Sequence, residues 1–281
     1  MTKPKLPLKR RLLRLFFWLA GIAVVFVIYG DLFGPHTTFY IMAHYMAYRD
    51  SSVNIVPKPL TDNTSSHSPG TTLSYYGETF EVPWRGIVVQ KVVSKITAVE
   101  FASGQSLMIW APMGRRGILN DAVDDKQMGE DWRLALGPGD LMRTAYDQKS
   151  AVLNVTTSDL KFLDPPRDSL RTFYLLLFKE LGEIESSAGM YSFQTSAARG
   201  FQLGNPASAW RTRLDFFDSA GNSLGEIVCW LGKNPSARGT QAEINRIIQT
   251  FHPVASASNN SASLAPSPTS SSPIPTPAVA H

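Results

Sequence analysis

The sequence predicts an α+β fold, a mixed α/β sandwich with a largely antiparallel sheet and helices packed on a face, preceded by one transmembrane helix. Three observations lead to this. The strand-like runs come in hairpin pairs instead of alternating with helices, which argues against a parallel α/β fold. Two later segments carry clear helical periodicity. A charge-free apolar run near the N-terminus follows a basic cluster.

That run, residues 15–30 (LFFWLAGIAVVFVIYG), covers roughly 24 Å as a helix, and Leu12, Leu13, Leu32 and Phe33 extend it toward the bilayer's ~30 Å core. Arg14 can snorkel to the headgroups, and Trp18 and Tyr29 lie near the two ends as interfacial aromatics do. Six Lys/Arg and no acid precede the span. The positive-inside rule therefore keeps a basic N-terminus, 1–14, in the cytoplasm and places everything after the helix at 15–33 outside it. A cleaved signal peptide shares the basic and apolar regions. However, the apolar stretch exceeds the usual 7–15 residues, no A-x-A site follows, and no Cys follows to accept a lipid. The expected location is a cell membrane, single-pass, with the lipid bilayer as partner of the helix.

Residues 34–72 read as a juxtamembrane segment and linker. Residues 36–49 (HTTFYIMAHYMAYR) form a short helix, with Phe39, Tyr40, Met46 and Tyr48 either at headgroup level or packed on the domain. Residues 57–72 are rich in Pro, Ser and Thr, as linkers are.

The globular domain is expected over 73–253. LSYY and TFEVPW flank a turn at Gly77-Glu78, and Phe80, Val82 and Trp84 alternate as one buried sheet face requires. Runs 96–102 and 106–111 flank Ser103-Gly104-Gln105 as a second hairpin. Residues 140–149 read as a helix capped by Asp140. Asp164-Pro165-Pro166 starts a strongly apolar helix bearing Leu170, Phe173, Tyr174, Leu177 and Leu181, too short to cross a bilayer. Runs 190–195, 211–217 and 224–231 read as strands, the last two joined by Asp218–Asn222. A final helix at 240–251 has a capping box in Thr240 and Glu243 and an apolar stripe of Ile244, Ile247, Ile248 and Phe251. Residues 254–281 hold eight Ser, five Pro and six Ala, too little apolar bulk to offset the entropy of ordering, and are expected to be a disordered tail. The segment YYGETFEVPW and the closing helix are faintly similar to the small α/β-sandwich domains of the Mog1/PsbP type. The likeness covers two short segments, and no functional residue carries over from it.

Charge narrows the function classes. Residues 73–253 hold nineteen basic and twenty acidic residues, so the basicity belongs to the N-terminus. A nucleic-acid-binding domain should carry its own basic face, so no nucleic-acid partner is expected.

The histidines are His36, His44, His67, His252 and His281, none between Leu73 and Phe251. That argues against a Ser-His-Asp triad, a Cys-His pair or a His-bearing zinc site in the core. His252 reads as an exposed residue at a helix C-terminus. Cys229, the single cysteine, reads as a buried thiol, with an intermolecular disulfide as the alternative. Asp121, Asp124, Asp125, Glu130 and Asp131 are the densest acids, but their spacing fits no calcium loop and they read as a solvated loop. Arg199–Pro206 spaces glycines four apart without the Lys-Ser/Thr of a phosphate loop and reads as a turn or bulge. Trp84, Trp110, Trp132, Trp210 and Trp230 could line a ligand groove, but aromatics alternating along strands read first as core.

No catalytic, cofactor-binding or metal-binding residue is assigned, and no cofactor is expected. The leading expectation is a non-enzymatic interaction or envelope-accessory module with a protein partner. A ligand-binding sensor or carrier domain is the alternative and should show a sizeable pocket with converging polar groups. An enzyme without a catalytic histidine comes third and should show a perturbed ionisable group in a cleft.

Overall fold

Tyr76 and Gly77 take positive φ angles of 54° and 84°, the conformations that a two-residue type I′ turn needs. The turn joins β2 (Thr71–Tyr75) to β3 (Glu78–Val82) in an antiparallel hairpin. It lies one residue earlier than the sequence suggests, because Gly77 fills the second turn position. Glu78 therefore enters the strand and is buried.

The computed structural model describes residues 34, 37–49, 51–62, 64–66, 69–112, 114, 117–124, 133–161, 165–181, 189–231 and 239–253. The expected membrane helix at 15–33, the tail at 254–281, and Trp132, Asp125, Glu130, Asp131, His36, His67 and His281 lie outside them. No helix among the described residues is long and apolar enough to cross a membrane.

Eight strands form the main sheet: β1 (Lys58–Pro59), β4 (Ile87–Val93), β5 (Ile96–Phe101), β6 (Ser106–Trp110), β7 (Met190–Gln194), β8 (Arg199–Leu203), β9 (Arg211–Phe217) and β10 (Ser223–Trp230). Their order is β1-β7-β8-β9-β10-β6-β5-β4. Only β1 and β7 pair in parallel; the other pairs are antiparallel. A smaller sheet, β11-β3-β2, adds β11 (His252–Pro253) beside β3. The mixed α+β architecture with a large, mainly antiparallel sheet is thus present.

Neither β4 nor β8 is evident from the sequence. IVVQKVV does not alternate, because it is exposed along its whole length. β8 holds Gly200 where a turn was expected, and the glycine is there for close packing. A Cβ at Gly200 would lie 2.6 Å from the Phe193 ring and closer still to the Asp215 carbonyl. The Phe193 ring occupies the space that a side chain would take.

One face of the main sheet carries Val99, Leu107, Ile109, Leu214, Phe216, Ile227 and Cys229. It is covered by the small sheet and by a helix, Gln241–Thr250, whose Ile244, Ile247 and Ile248, with Phe251 just beyond, are at most 3% exposed. Thr240 and Glu243 form the expected capping box. Burying each of these large apolar side chains is worth about 1.5–3 kcal/mol, far more than a helix of this length gains alone.

On the opposite face the helix at 145–154 packs against Met190, Phe201, Leu203 and Phe217, and the other helices form a second cluster beside it. These helices are α1 (37–49), α2 (Ile118–Asp124), α3 (Pro138–Leu141), α4 (Ala145–Asn154) and α5 (Pro166–Leu181); the closing helix is α6. The single helix expected over 140–149 is two helices. Thr144 caps α4 by accepting from Asp147 N at 3.1 Å. Asp140 instead accepts from Gly137 N in α3 and takes a two-pronged grip from Arg171, at 2.8 and 2.7 Å. Gln148 is fully buried and ties three segments together. It accepts from Leu119 N and donates to Asn120 Oδ1 and to the Leu141 and Arg143 carbonyls.

The segment at 37–49 is built into this framework. Phe39 stacks on Phe173 with ring centroids 5.0 Å apart, and Ala43 and Met46 are buried beside α5. The stretch 57–72 contributes β1 and is then held to α6. Asn245 Nδ2 donates to the Asp62 and Thr64 carbonyls at 2.7 and 2.8 Å, and Ser66 N donates to the Ala242 carbonyl.

Candidate functional site

Three places stand out among the described residues: a buried charge tetrad, a groove around Arg199, and the free edge of β4. The tetrad arises from strand alternation. Arg213 and Asp215 lie two apart on β9, on the face opposite Leu214, and Glu226 of β10 sits directly across from Asp215. Lys149 reaches them from α4. Lys149 Nζ is 3.0 Å from Asp215 Oδ2, Arg213 Nε is 3.1 Å from Asp215 Oδ1, and Arg213 Nη2 is 2.6 Å from Glu226 Oε2. Two positive and two negative groups balance.

Burial opposes the charge on Asp215, but Arg213 and Lys149 outweigh it and hold the carboxyl below its usual range. Burial, with Arg213 adding repulsion, lowers Lys149. Glu226 is pushed up to about 7, first by burial and then by Asp215. Such perturbed groups can mark an active site. The cavity beside them is about 30 Å³, room for about one water. A substrate does not fit there, and the tetrad reads as the means by which α4 docks on a polar patch of the sheet.

The groove is larger, about 590 Å³, within the range of small-molecule sites. It is lined from both sheet faces at the β7–β8 turn: Tyr146 and Arg199 on one side, Phe193, Asn245 and Ile248 on the other. The Arg199 guanidinium stacks on the Tyr146 ring, 3.8 Å from its centroid.

At the far end of the sheet, β4 is the terminal strand, and all seven of its residues are exposed. Ile87, Val88, Val89, Val92 and Val93 are between 41% and 62% exposed. β4 pairs with β5 on one side and, among the described residues, has no strand on the other. Edge strands are usually blunted with charge, proline or bulges. Here the blunting is Lys91 and an irregularity between Ile87 and Val89. A second exposed apolar set lies on α1: Ile41, Met42, Tyr45 and Tyr48, facing away from Ala43 and Met46.

The residues singled out from the sequence are scattered. Cys229 is fully buried, and burial pushes its thiol up. Asp121 and Asp124 are exposed on α2. His252 is exposed in β11, and His44 tilts against Tyr40 with centroids 4.3 Å apart. Of the tryptophans described, only Trp84 is core; Trp110 and Trp230 are half-buried and Trp210 is 38% exposed. Trp110 and Trp230 sit on outward positions of β6 and β10, whose alternate residues are buried, and Trp210 precedes β9, so the core expectation holds for Trp84 alone. Arg199 was read only as part of a turn, and the tetrad was not singled out at all. Its signal is two charges two apart, Arg213 and Asp215, on either side of Leu214 and followed by Phe216 and Phe217.

Comparison of the chain with protein-family models, with curated proteins and with solved structures finds no match.

Proposed function

We propose that this chain is a membrane-anchored extracytoplasmic interaction module that captures an extended segment of a protein partner along β4. The observation that carries this reading is the β4 edge itself, the terminal strand of the sheet among the described residues, with five exposed aliphatic side chains. An added strand gains affinity from main-chain hydrogen bonds and specificity from alternating side chains. Anchoring is supported by the basic cluster before residues 15–33 and by the outward Ile41, Met42, Tyr45 and Tyr48 of α1, which follow soon after that run.

The test is a photo-cross-linking residue at Val92 of the full chain in its native membrane, with the same residue at exposed Asp159 as control. The expected result is one defined heterologous adduct at Val92 and none at Asp159. No adduct overturns the reading, and an adduct between two copies of this chain replaces the partner with self-association. Alkaline phosphatase fused after Phe251 should be active; an inactive fusion would reverse the orientation.

A further inference from the structure

Among the described residues Arg199 has no carboxylate partner. Among the described residues its guanidinium makes one contact of note, the stack on Tyr146 at 3.8 Å, and its Nε is buried with no hydrogen-bond acceptor. This sets it apart from the other arginines near the sheet core: Arg171 grips Asp140, Arg213 bridges Asp215 and Glu226, and Arg246 binds Glu81. A half-buried cation without an acceptor is costly, and buried polar groups are ordinarily paired.

Arg199 also lines the groove of about 590 Å³, whose walls, among the described residues, hold no Asp or Glu. The other polar side chains of the lining, among them Gln194, Asn245 and Gln249, are uncharged. Phe193, Leu60 and Ile248 add apolar wall. The guanidinium is pre-positioned, because Tyr146 is itself held between Phe201, stacked at 5.2 Å, and Phe217, edge-on at 5.5 Å. A planar donor fork on a rigid aromatic support matches carboxylate and phosphate geometry.

We propose that this groove binds a small organic anion, with its carboxylate or phosphate on the Arg199 guanidinium and its uncharged body against Phe193 and Ile248. The site is separate from the β4 edge: β7 and β8 lie at the other end of the sheet from β4. Its ligand and the β4 partner therefore do not compete for the same residues.

The experiment is isothermal titration of the full chain in non-ionic detergent with benzoate, phenyl phosphate and, as a neutral control, benzyl alcohol. At least one anion should bind with a Kd below about 1 mM, and the alcohol at least about tenfold more weakly. The two anions distinguish a carboxylate site from a phosphate site. Arg199→Gln should weaken the bound anion by about tenfold or more, and Arg199→Lys by less. Ser196→Glu is the second variant. It changes an exposed residue, so it preserves the fold, and it sets a negative charge in the groove that should weaken the anion but not the alcohol. The proposal is overturned if neither anion binds the wild type, if the alcohol binds as tightly as the anions, or if Ser196→Glu leaves anion affinity unchanged.

Discussion

Phe216 and Phe251 stack face to face, with ring centroids 3.8 Å apart and planes 7° from parallel. Phe216 belongs to a central strand of the main sheet and Phe251 ends the last helix, so the contact joins the closing element to the middle of the core. Phe80 of the small sheet lies 6.4 Å from the same Phe251 ring. Phe251→Ala should cost about 3–5 kcal/mol and Ile247→Ala about 2–5 kcal/mol, read as a lower urea midpoint. Thr240→Ala removes a cap and should cost about 0.5–2 kcal/mol. If Thr240→Ala proves the most damaging of the three, the stripe is not the main anchor of α6.

Lys149 and Asp215 are each under a tenth exposed. Removing Lys149 leaves Arg213 alone against the two carboxylates of Asp215 and Glu226 in a dry site. Lys149→Met should therefore destabilise by about 3–5 kcal/mol. The double change Lys149→Met with Asp215→Asn keeps the remaining Arg213 and Glu226 balanced and should recover part of that loss. No recovery would mean that the lysine stem, not its charge, holds α4.

Stability should fall as pH rises from about 5 to 8. Burial pushes Glu78 up to about 8 from an unfolded value near 4.5. Between those values the folded chain holds a proton that the unfolded chain has lost, so the contribution is fully present at low pH and fades as pH climbs. Glu226, pushed up to about 7, acts in the same direction. Above that window Lys179, lowered to about 8 by burial, works in the opposite sense, because there the unfolded chain binds the extra proton. Glu78→Gln should flatten the decline in urea midpoint between pH 5 and pH 8. Identical slopes for the two proteins would remove Glu78 from the account.

Val89→Lys and Val92→Lys should each change stability by no more than about 0.5 kcal/mol, because both side chains are exposed. The same changes should abolish the adduct formed through a cross-linker elsewhere on β4. A loss above about 1.5 kcal/mol would show that β4 packs against another part of this chain.

The closing helix was legible in the sequence because its stripe, its capping box and its burial all agree. The hairpin at Gly77 was legible because few residues tolerate that turn. β8 was not, because Gly200 mimics a turn residue when its actual role is to admit the Phe193 ring. β4 was not, because a strand exposed on both faces has no alternation to reveal it. The tetrad needed three-dimensional register: only the pairing of β9 with β10 sets Glu226 beside Asp215, and only the α4 docking brings Lys149 to them. Arg199 is conspicuous through what surrounds it, which no local pattern encodes.

The parallel pairing of β1 with β7 has a mechanical consequence. The chain before the small sheet is fastened through β1 and through the Asp62 and Thr64 carbonyls held by Asn245, so it is tied to the domain at both places. β1 and β4 are opposite ends of one sheet, seven strand spacings apart. At about 4.8 Å per spacing that is roughly 34 Å along the sheet, less its twist. The sheet then behaves as a stiff bracket with the free edge carried at its outer end. Cutting the strap at Asn245 would release the Asp62 and Thr64 carbonyls without touching the β4 edge.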